Sequence, residues 1–277
     1  MSSPPLAVVT GTSGGIGGAT AARLVRAGFD VIATVRRAGT APAGTHEVVV
    51  DLTDADATRA LVDAVGARPL QVLINNAGIT VPGPVETTPL EAWRRQLEIN
   101  LLAHIAVIQA LLPSLRAAGG RIVNISSVAG RVVAPGLGPY GASKFALEAV
   151  SDALRRELDD VAVILIEPGM TDTPIWAEGR KRGKELEDQM LPDQRTRYRP
   201  LIDALGRASA RGAEHGMPVD DVADVIVKAA QVASPQTRYL VGKEARRIGW
   251  LVRILPDRML DRGIKRGMGL SSSSAGR

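Results

Sequence analysis

Thr10-Gly11-Thr12-Ser13-Gly14-Gly15-Ile16-Gly17 lies between the β-branched run Ala7-Val8-Val9-Thr10 and an amphipathic stretch from Ala19 to Ala27, and this passage decides the fold. A glycine pattern alone says little; between a strand and a helix it describes a phosphate loop. Gly11, Gly15 and Gly17 permit a tight turn and let backbone N–H groups approach a pyrophosphate. The helix expected from about Gly15 turns the positive end of its dipole towards that anion. Gly11, Thr12, Ser13, Gly15, Ile16 and Gly17 are therefore the expected contacts. The same residues satisfy G-x-S-x-G, the nucleophile elbow of hydrolases. Several strands precede that serine in hydrolases, only one can precede Ser13, and His46, His104 and His215 have no fitting acidic partner by pattern. The hydrolase reading is set aside.

Outward from the loop, short apolar runs alternate with helical patterns. Val31–Val35, Val48–Val50, Val72–Ile74, Ile122–Ile125 and Val163–Ile166 join Ala7–Thr10 as strands expected to be buried on both faces. Amphipathic stretches lie between them at Asp54–Val65, Trp93–Ala117 and Ser143–Leu158, and a final strand, Arg238–Val241, follows a helix over Val219–Val232. Such alternation implies right-handed crossovers and a doubly wound parallel sheet of seven strands with helices on both faces. No linker or internal repeat divides the chain, so residues 1–277 are expected to form a single α/β domain. Its core spans 6–241, with an insertion over 177–216 and a basic extension over 242–277; the Ser271–Ser274 run is expected to fray.

The 277 residues are 45% hydrophobic and 23% charged, which fits a globular core rather than a disordered chain. Cysteine is absent, which excludes disulfides, a thiol nucleophile and a cysteine-based zinc site and agrees with a reducing cytoplasm. No metal is expected. No secretory signal is expected before the first strand, and no apolar stretch is expected to approach the roughly 18 residues of a membrane span. The net charge is +5, yet residues 242–277 alone hold nine Lys/Arg against three Asp/Glu, so the remainder is nearly neutral. No nucleic-acid-binding module accompanies the basic tail, and no nucleic-acid partner is expected.

The second strand ends Thr34-Val35-Arg36-Arg37, where an acid would hold the adenosine ribose of NAD. Two guanidiniums at that place suit the 2′-phosphate of NADP(H), which is favoured over NAD(H); the alternative is a solvated basic turn. Further on, Tyr140-Gly141-Ala142-Ser143-Lys144 opens a helix, with Tyr140 and Lys144 on one face. A tyrosine with a pKa of about 10 becomes a base at neutral pH only after about 4 kcal/mol of selective stabilisation of its phenolate. A neighbouring ammonium and an oxidised nicotinamide are the right kind of source. Asn124-Ile125-Ser126-Ser127 closes the fifth strand on the ligand side of the sheet, so Ser127 can donate to a substrate oxygen.

With these motifs in order, the chain resembles the short-chain dehydrogenase/reductases from about Leu6 to Val241. That family, a Rossmann fold, carries in sequence a T-G-x-x-x-G-x-G loop (here 10–17), N-N-A-G (Asn75-Asn76-Ala77-Gly78), a strand-end serine (Ser127) and Y-x-x-x-K (Tyr140, Lys144). The resemblance implies that Tyr140 is the general acid/base, that Ser127 positions substrate, and that Lys144 lowers the tyrosine pKa and binds the nicotinamide ribose. It implies that Asn100 holds a relay water, with Ala103 where the family usually has glycine. It places Asp51 and Leu52 at the adenine, and Asn76, Ala77 and Gly78 along the cofactor. Pro168, Gly169, Met170, Thr171 and Thr173 fall beside the nicotinamide amide. The implied activity is NADP(H)-dependent interconversion of an alcohol and a ketone or aldehyde.

The insertion 177–216 lies where the family builds a substrate lid, though a charge-rich stretch is equally a solvated face. Arg246–Leu255 mixes cations with Trp250 and other apolar residues. It fits a membrane surface, a cover for the cleft or a subunit contact, with Gly249 weakening the helix and membrane contact not favoured. The overall arrangement is similar to members acting on retinoids, steroids and other lipophilic substrates. Reduction of 3-oxoacyl thioesters and a non-catalytic NADP-binding sensor are the alternatives. A homodimer or homotetramer through the helices of 93–117 and 143–158 is what the resemblance implies.

Overall fold

Alternation of apolar strands with one-faced helices leaves each strand little choice but to lie parallel to its neighbours with helices above and below. The computed structural model describes residues 3–270, so the Ser271–Ser274 run lies outside the described residues. Seven strands, β1 (Leu6–Val9), β2 (Asp30–Val35), β3 (His46–Val49), β4 (Val72–Asn75), β5 (Arg121–Ile125), β6 (Ala162–Pro168) and β7 (Arg238–Val241), form one parallel sheet in the order β3-β2-β1-β4-β5-β6-β7. The order reverses between β1 and β4, where Val8 lies opposite Leu73. Strand ends at such a reversal leave the crevice in which α/β sheets bind ligands.

Successive side chains of a strand face opposite ways, and β1 splits its residues between two cores. Ala7 and Val9 join Ala21, Leu24 and Ile226 beneath α1 (Gly15–Arg26) and α8 (Val219–Gln231). Leu6 and Val8 join Leu61, Val107, Leu111 and Leu115 beneath α2 (Ala57–Val65) and α4 (Ala103–Ala118). β3 departs from expectation: His46, Glu47 and Val49 are exposed, because this edge strand pairs only with β2.

The expected helix of 93–117 is a longer run in three parts. α3 (Leu90–Leu97) passes through a π-helical turn (Glu98–Leu102) into α4. By length and composition Leu90–Ala118 is long and apolar enough to cross a membrane, contrary to expectation, since Gln96, Asn100 and His104 interrupt the apolar run without making it polar. Val107, Ile108, Leu111 and Leu115 of this run are packed into the sheet-facing core.

The 177–216 insertion belongs to two helices, α6 (Ile175–Asp188) and α7 (Pro192–His215). After β7 come α9 (Lys243–Ile254) and α10 (Asp257–Gly267). α9 runs through Gly249, which faces β7: a Cβ there would stand 2.8 Å from Leu240 Cδ1.

Candidate active site

The loop after β1 is built by close approach. Gly11 has φ +71°, and a Cβ on it would come within 2.9 Å of Ala77 Cα. A Cβ on Gly17 would collide with Asn76 Nδ2 and the Gly11 carbonyl, so only glycine fits at either place. Asn76 Nδ2 donates to the Thr10 and Gly11 carbonyls at 2.9 and 3.0 Å. The Thr10 hydroxyl accepts the Asn76 and Ala77 amides at 2.9 and 3.1 Å. The loop after β1 and the Asn75–Gly78 segment after β4 are thereby one rigid unit. Ser13 and Gly14 are exposed beside it, and Gly15 and Ile16 are half-buried. Thr12 is buried, its hydroxyl donating to the Thr34 carbonyl at 3.1 Å, so its side chain ties the loop to β2.

α1 has no side-chain N-cap and no acid in its first turn. The first N–H groups of a helix lack intrahelical acceptors, and an uncapped helix start without a nearby acid suits an anionic pyrophosphate. The chain thus fits the group its motif implies. Arg36 and Arg37 stand exposed just beyond β2, without an ion-pair partner among the described residues. Asp51 is caught by Thr53, whose amide and hydroxyl donate at 3.0 and 2.8 Å. The Thr53 amide, with smaller help from its hydroxyl, Arg36 and Arg95, holds the Asp51 carboxyl below its ordinary pKa. Leu52 packs half-buried on the core.

At the end of β5, Ser127 Oγ accepts the Ala129 amide at 3.1 Å and opens a 3-10 turn, Val128–Gly130. Arg131 follows that turn and pairs with Glu167 of β6, which is fully buried, fastening the Ser127 loop to the sheet. Tyr140 lies in the first turn of α5 (Gly138–Glu157), with Lys144 one turn on and its Nζ 5.8 Å from the Tyr140 ring centroid. Lys144 Nζ donates to the Ile125 carbonyl at 2.8 Å. Asn100, fully buried in the π-helical turn, accepts the Ile79 amide at 2.9 Å and donates to the Ile79 carbonyl at 3.0 Å and to Ser143 Oγ at 3.2 Å. Ser143 in turn donates to the Tyr140 carbonyl at 2.7 Å. Asn100 thus links the segment after β4 to the start of α5.

Burial pushes the Tyr140 pKa up, against a hydrogen bond with Ser127. The ammonium is itself desolvated: burial brings Lys144 down to about 8 against the upward pull of Glu148. The positive charge of a bound oxidised nicotinamide would act in the same direction as Ser127, favouring the phenolate.

Pro168 ends β6, and Gly169 N donates to the Val241 carbonyl at 3.0 Å. Met170 is half-buried and its carbonyl accepts the Met217 amide at 2.9 Å; Thr171 Oγ1 donates to the Gly169 carbonyl at 3.1 Å. Thr173 approaches the phosphate loop, its Cβ 3.6 Å from where a Cβ on Gly15 would lie. The structure thus gathers the loop, Asn76–Gly78, Ser127, Tyr140, Lys144 and Pro168–Thr173 around one crevice, with Asp51 and Leu52 at its β2–β3 end. Two residues were not read from the sequence as part of the site, Gln96 and His104, and the role of the Thr10 hydroxyl in joining the loop to Asn76 was not read either. His104 follows Asn100 by one turn, a legible spacing. Its Nε2 lies 2.7 Å from the Ala77 carbonyl, and burial, then Lys144, brings its pKa down to about 3. His46 does have an acidic partner, Asp30 at 2.9 Å, but at the amino end of the strands, opposite Ser13.

Comparison with known proteins agrees with this fold. The family model described as short chain dehydrogenase matches residues 5–184. An NADPH-dependent 3-dehydrocapnine reductase of Ornithobacterium rhinotracheale is 37% identical over 274 residues, covering 92% of this chain and 94% of the relative. Retinol dehydrogenase 16 of Mus musculus is 35% identical, covering 91% of this chain and 85% of its own length. A crystal structure of a short-chain dehydrogenase from Streptomyces avermitilis superposes with a TM-score of 0.74 at 26% identity, covering 96% of this chain and 99% of that one.

Proposed function

The chain belongs to the short-chain dehydrogenase/reductase family and is an NAD(P)-dependent oxidoreductase acting on CH–OH groups; from that premise we propose that it works with NADP(H) on a bulky lipophilic alcohol or ketone, with Tyr140 as proton carrier. The observation that supports this reading is the placement of Tyr140 in the first turn of α5, with Lys144 Nζ 5.8 Å from its ring and bonded to the Ile125 carbonyl at the end of β5, where Ser127 opens the next turn. The bound nicotinamide supplies or accepts the hydride. In the reductive direction Tyr140 Oη gives its proton to the carbonyl oxygen, and Ser127 donates a hydrogen bond to the same oxygen. A raised tyrosine pKa suits the acid role, and acid–base help of this kind contributes about 10²–10⁴-fold. The Lys144 ammonium, buried behind Tyr140, holds the nicotinamide ribose. Asn100 fixes the start of α5 through Ser143 and serves the relay that restores the proton.

NADP(H) is favoured by Arg36 and Arg37, unpaired among the described residues at the end of β2, and by the NADPH dependence of the 37%-identical reductase. α6 and α7 act as the substrate lid. The site is assigned to the cytoplasm and to a homodimer or homotetramer through α3–α4 and α5, where Leu102 and Phe145 remain exposed. One observation favours a second substrate class: α10 buries no residue and presents Arg258, Arg262, Lys265 and Arg266, cations that suit the acidic carriers of 3-oxoacyl thioesters. Residues 246–255, with Trp250 exposed, offer the same charge to a membrane surface, the less favoured partner.

The test is absorbance at the nicotinamide band with NADPH, and separately NADH, across ketones, aldehydes, steroids and 3-oxoacyl thioesters. Oxidation of NADPH in preference to NADH by a lipophilic ketone is the expected result. Turnover of thioesters alone replaces the substrate class, and tight NADPH binding with no turnover of any compound points to a substrate outside the panel or to the sensor.

A further inference from the structure

α6 packs its inward face through Gly179, Arg182, Gly183 and Leu186, the spacing of one helical stripe. Two of these are glycines because the helix backbone sits on the segment that leaves β4. A Cβ on Gly179 would lie 2.6 Å from Thr80 Cγ2, and one on Gly183 would lie 3.0 Å from Pro82 Cγ. Leu186 completes the stripe against Gly83. The fourth position of this tight face carries a guanidinium. The Arg182 side chain is only 22% exposed; Nη2 reaches Glu178 at 3.5 Å, while Nη1 is buried with no partner among the described residues.

From the other side α3 grips the same segment: Gln96 accepts the Val81 amide and donates to the Ile79 carbonyl, both at 2.8 Å. Arg95, its neighbour, is exposed and has no ion-pair partner among the described residues. Arg36 arrives from the end of β2. After burial and the opposing pull of Glu178, Arg95 and Arg36 both press the Arg182 pKa downward, so the three guanidiniums feel one another. The acids nearby are otherwise placed: Asp51 is held by Thr53, and Glu178 and Glu185 lie exposed. Convergent cations with a buried, unused N–H call for a compact anion, and Arg grips phosphate bidentately.

We propose that Arg182 of α6, with Arg95 of α3, joins Arg36 in holding the 2′-phosphate of NADP(H), so that the helix over the substrate also reads the cofactor. The proposal rests on the NADP reading above. It makes lid closure sensitive to the 2′-phosphate, since Arg182 gains its missing acceptor only when that phosphate is present.

Calorimetric titration with adenosine 2′,5′-bisphosphate and with AMP, which differ only in the 2′-phosphate, tests it without turnover. The wild type should bind the bisphosphate more tightly than AMP. Arg182→Ala should weaken the bisphosphate about tenfold, the loss of one charge-assisted bond, and leave AMP unchanged, which also verifies the fold. Arg182→Lys should recover part of the loss. Lys184→Ala, on the same helix but exposed and paired with Asp188 at 3.0 Å, should change neither. If Arg36→Ala erases the bisphosphate preference and Arg182→Ala keeps it, the role of α6 is overturned and the NADP reading stands. Equal binding of both compounds by the wild type overturns both.

Discussion

Lys144→Met should stabilise the cofactor-free protein while abolishing its activity. Burial moves the Lys144 pKa from 10.5 to about 8. At about 1.4 kcal/mol per pH unit, holding that ammonium inside the fold costs about 3 kcal/mol at neutral pH. Methionine fills similar space without charge, and the lost bond to the Ile125 carbonyl returns about 1 kcal/mol, leaving a net gain of about 2 kcal/mol. At about 2–4 °C per kcal/mol for a domain of this size, the melting point should rise by about 4–8 °C. The sign in pH is also fixed. The folded-state pKa lies below the unfolded one, so between about 8 and 10.5 the unfolded chain binds more protons and wild-type stability rises with pH. Urea melts of both proteins at pH 7 and pH 10 should therefore show a gap that narrows at pH 10. Equal stabilities at pH 7, or a gap that does not change with pH, would refute the reasoning.

His104 gives the opposite limb. Its folded pKa of about 3 lies below the ordinary 6.5, so its contribution is full above pH 6.5 and is lost as pH falls towards 3. Between pH 7 and 4.5 the wild type should lose about 2–3 kcal/mol from this group; His104→Gln, which can still donate to the Ala77 carbonyl, should not, as paired urea melts would reveal. Gly17→Ala drives a methyl into Asn76 Nδ2 and the Gly11 carbonyl. The loop must shift, and cofactor affinity measured by calorimetry should fall by about tenfold or more, whereas unchanged affinity would mean the loop does not hold the pyrophosphate as argued.

The sheet was legible because the period of apolar residues and the glycine loop report backbone geometry directly; all seven strands fall within a residue or two of their sequence positions. β3 was misjudged because Val48-Val49-Val50 has the composition of a buried strand, and only the strand order makes it an edge. Tyr140, Ser127 and Lys144 were legible as motif positions, but the burial of the Lys144 ammonium and its bond to the Ile125 carbonyl were not, because both depend on how α5 packs against β5. Arg182 looked like one charge among many in a polar helix. Its meaning comes from Gly179 and Gly183, which turn that face inward, and that packing depends on Thr80 and Pro82, about 100 residues away in sequence.

The central claim is that Tyr140 carries the proton. Single-turnover transfer of hydride from NADPH to a ketone that the wild type reduces, measured with Tyr140→Phe beside calorimetric binding of NADPH to the same variant, tests it most directly. The account predicts a rate at least about 10²-fold below wild type with cofactor affinity essentially unchanged. A variant that binds NADPH normally and turns over at the wild-type rate would contradict it.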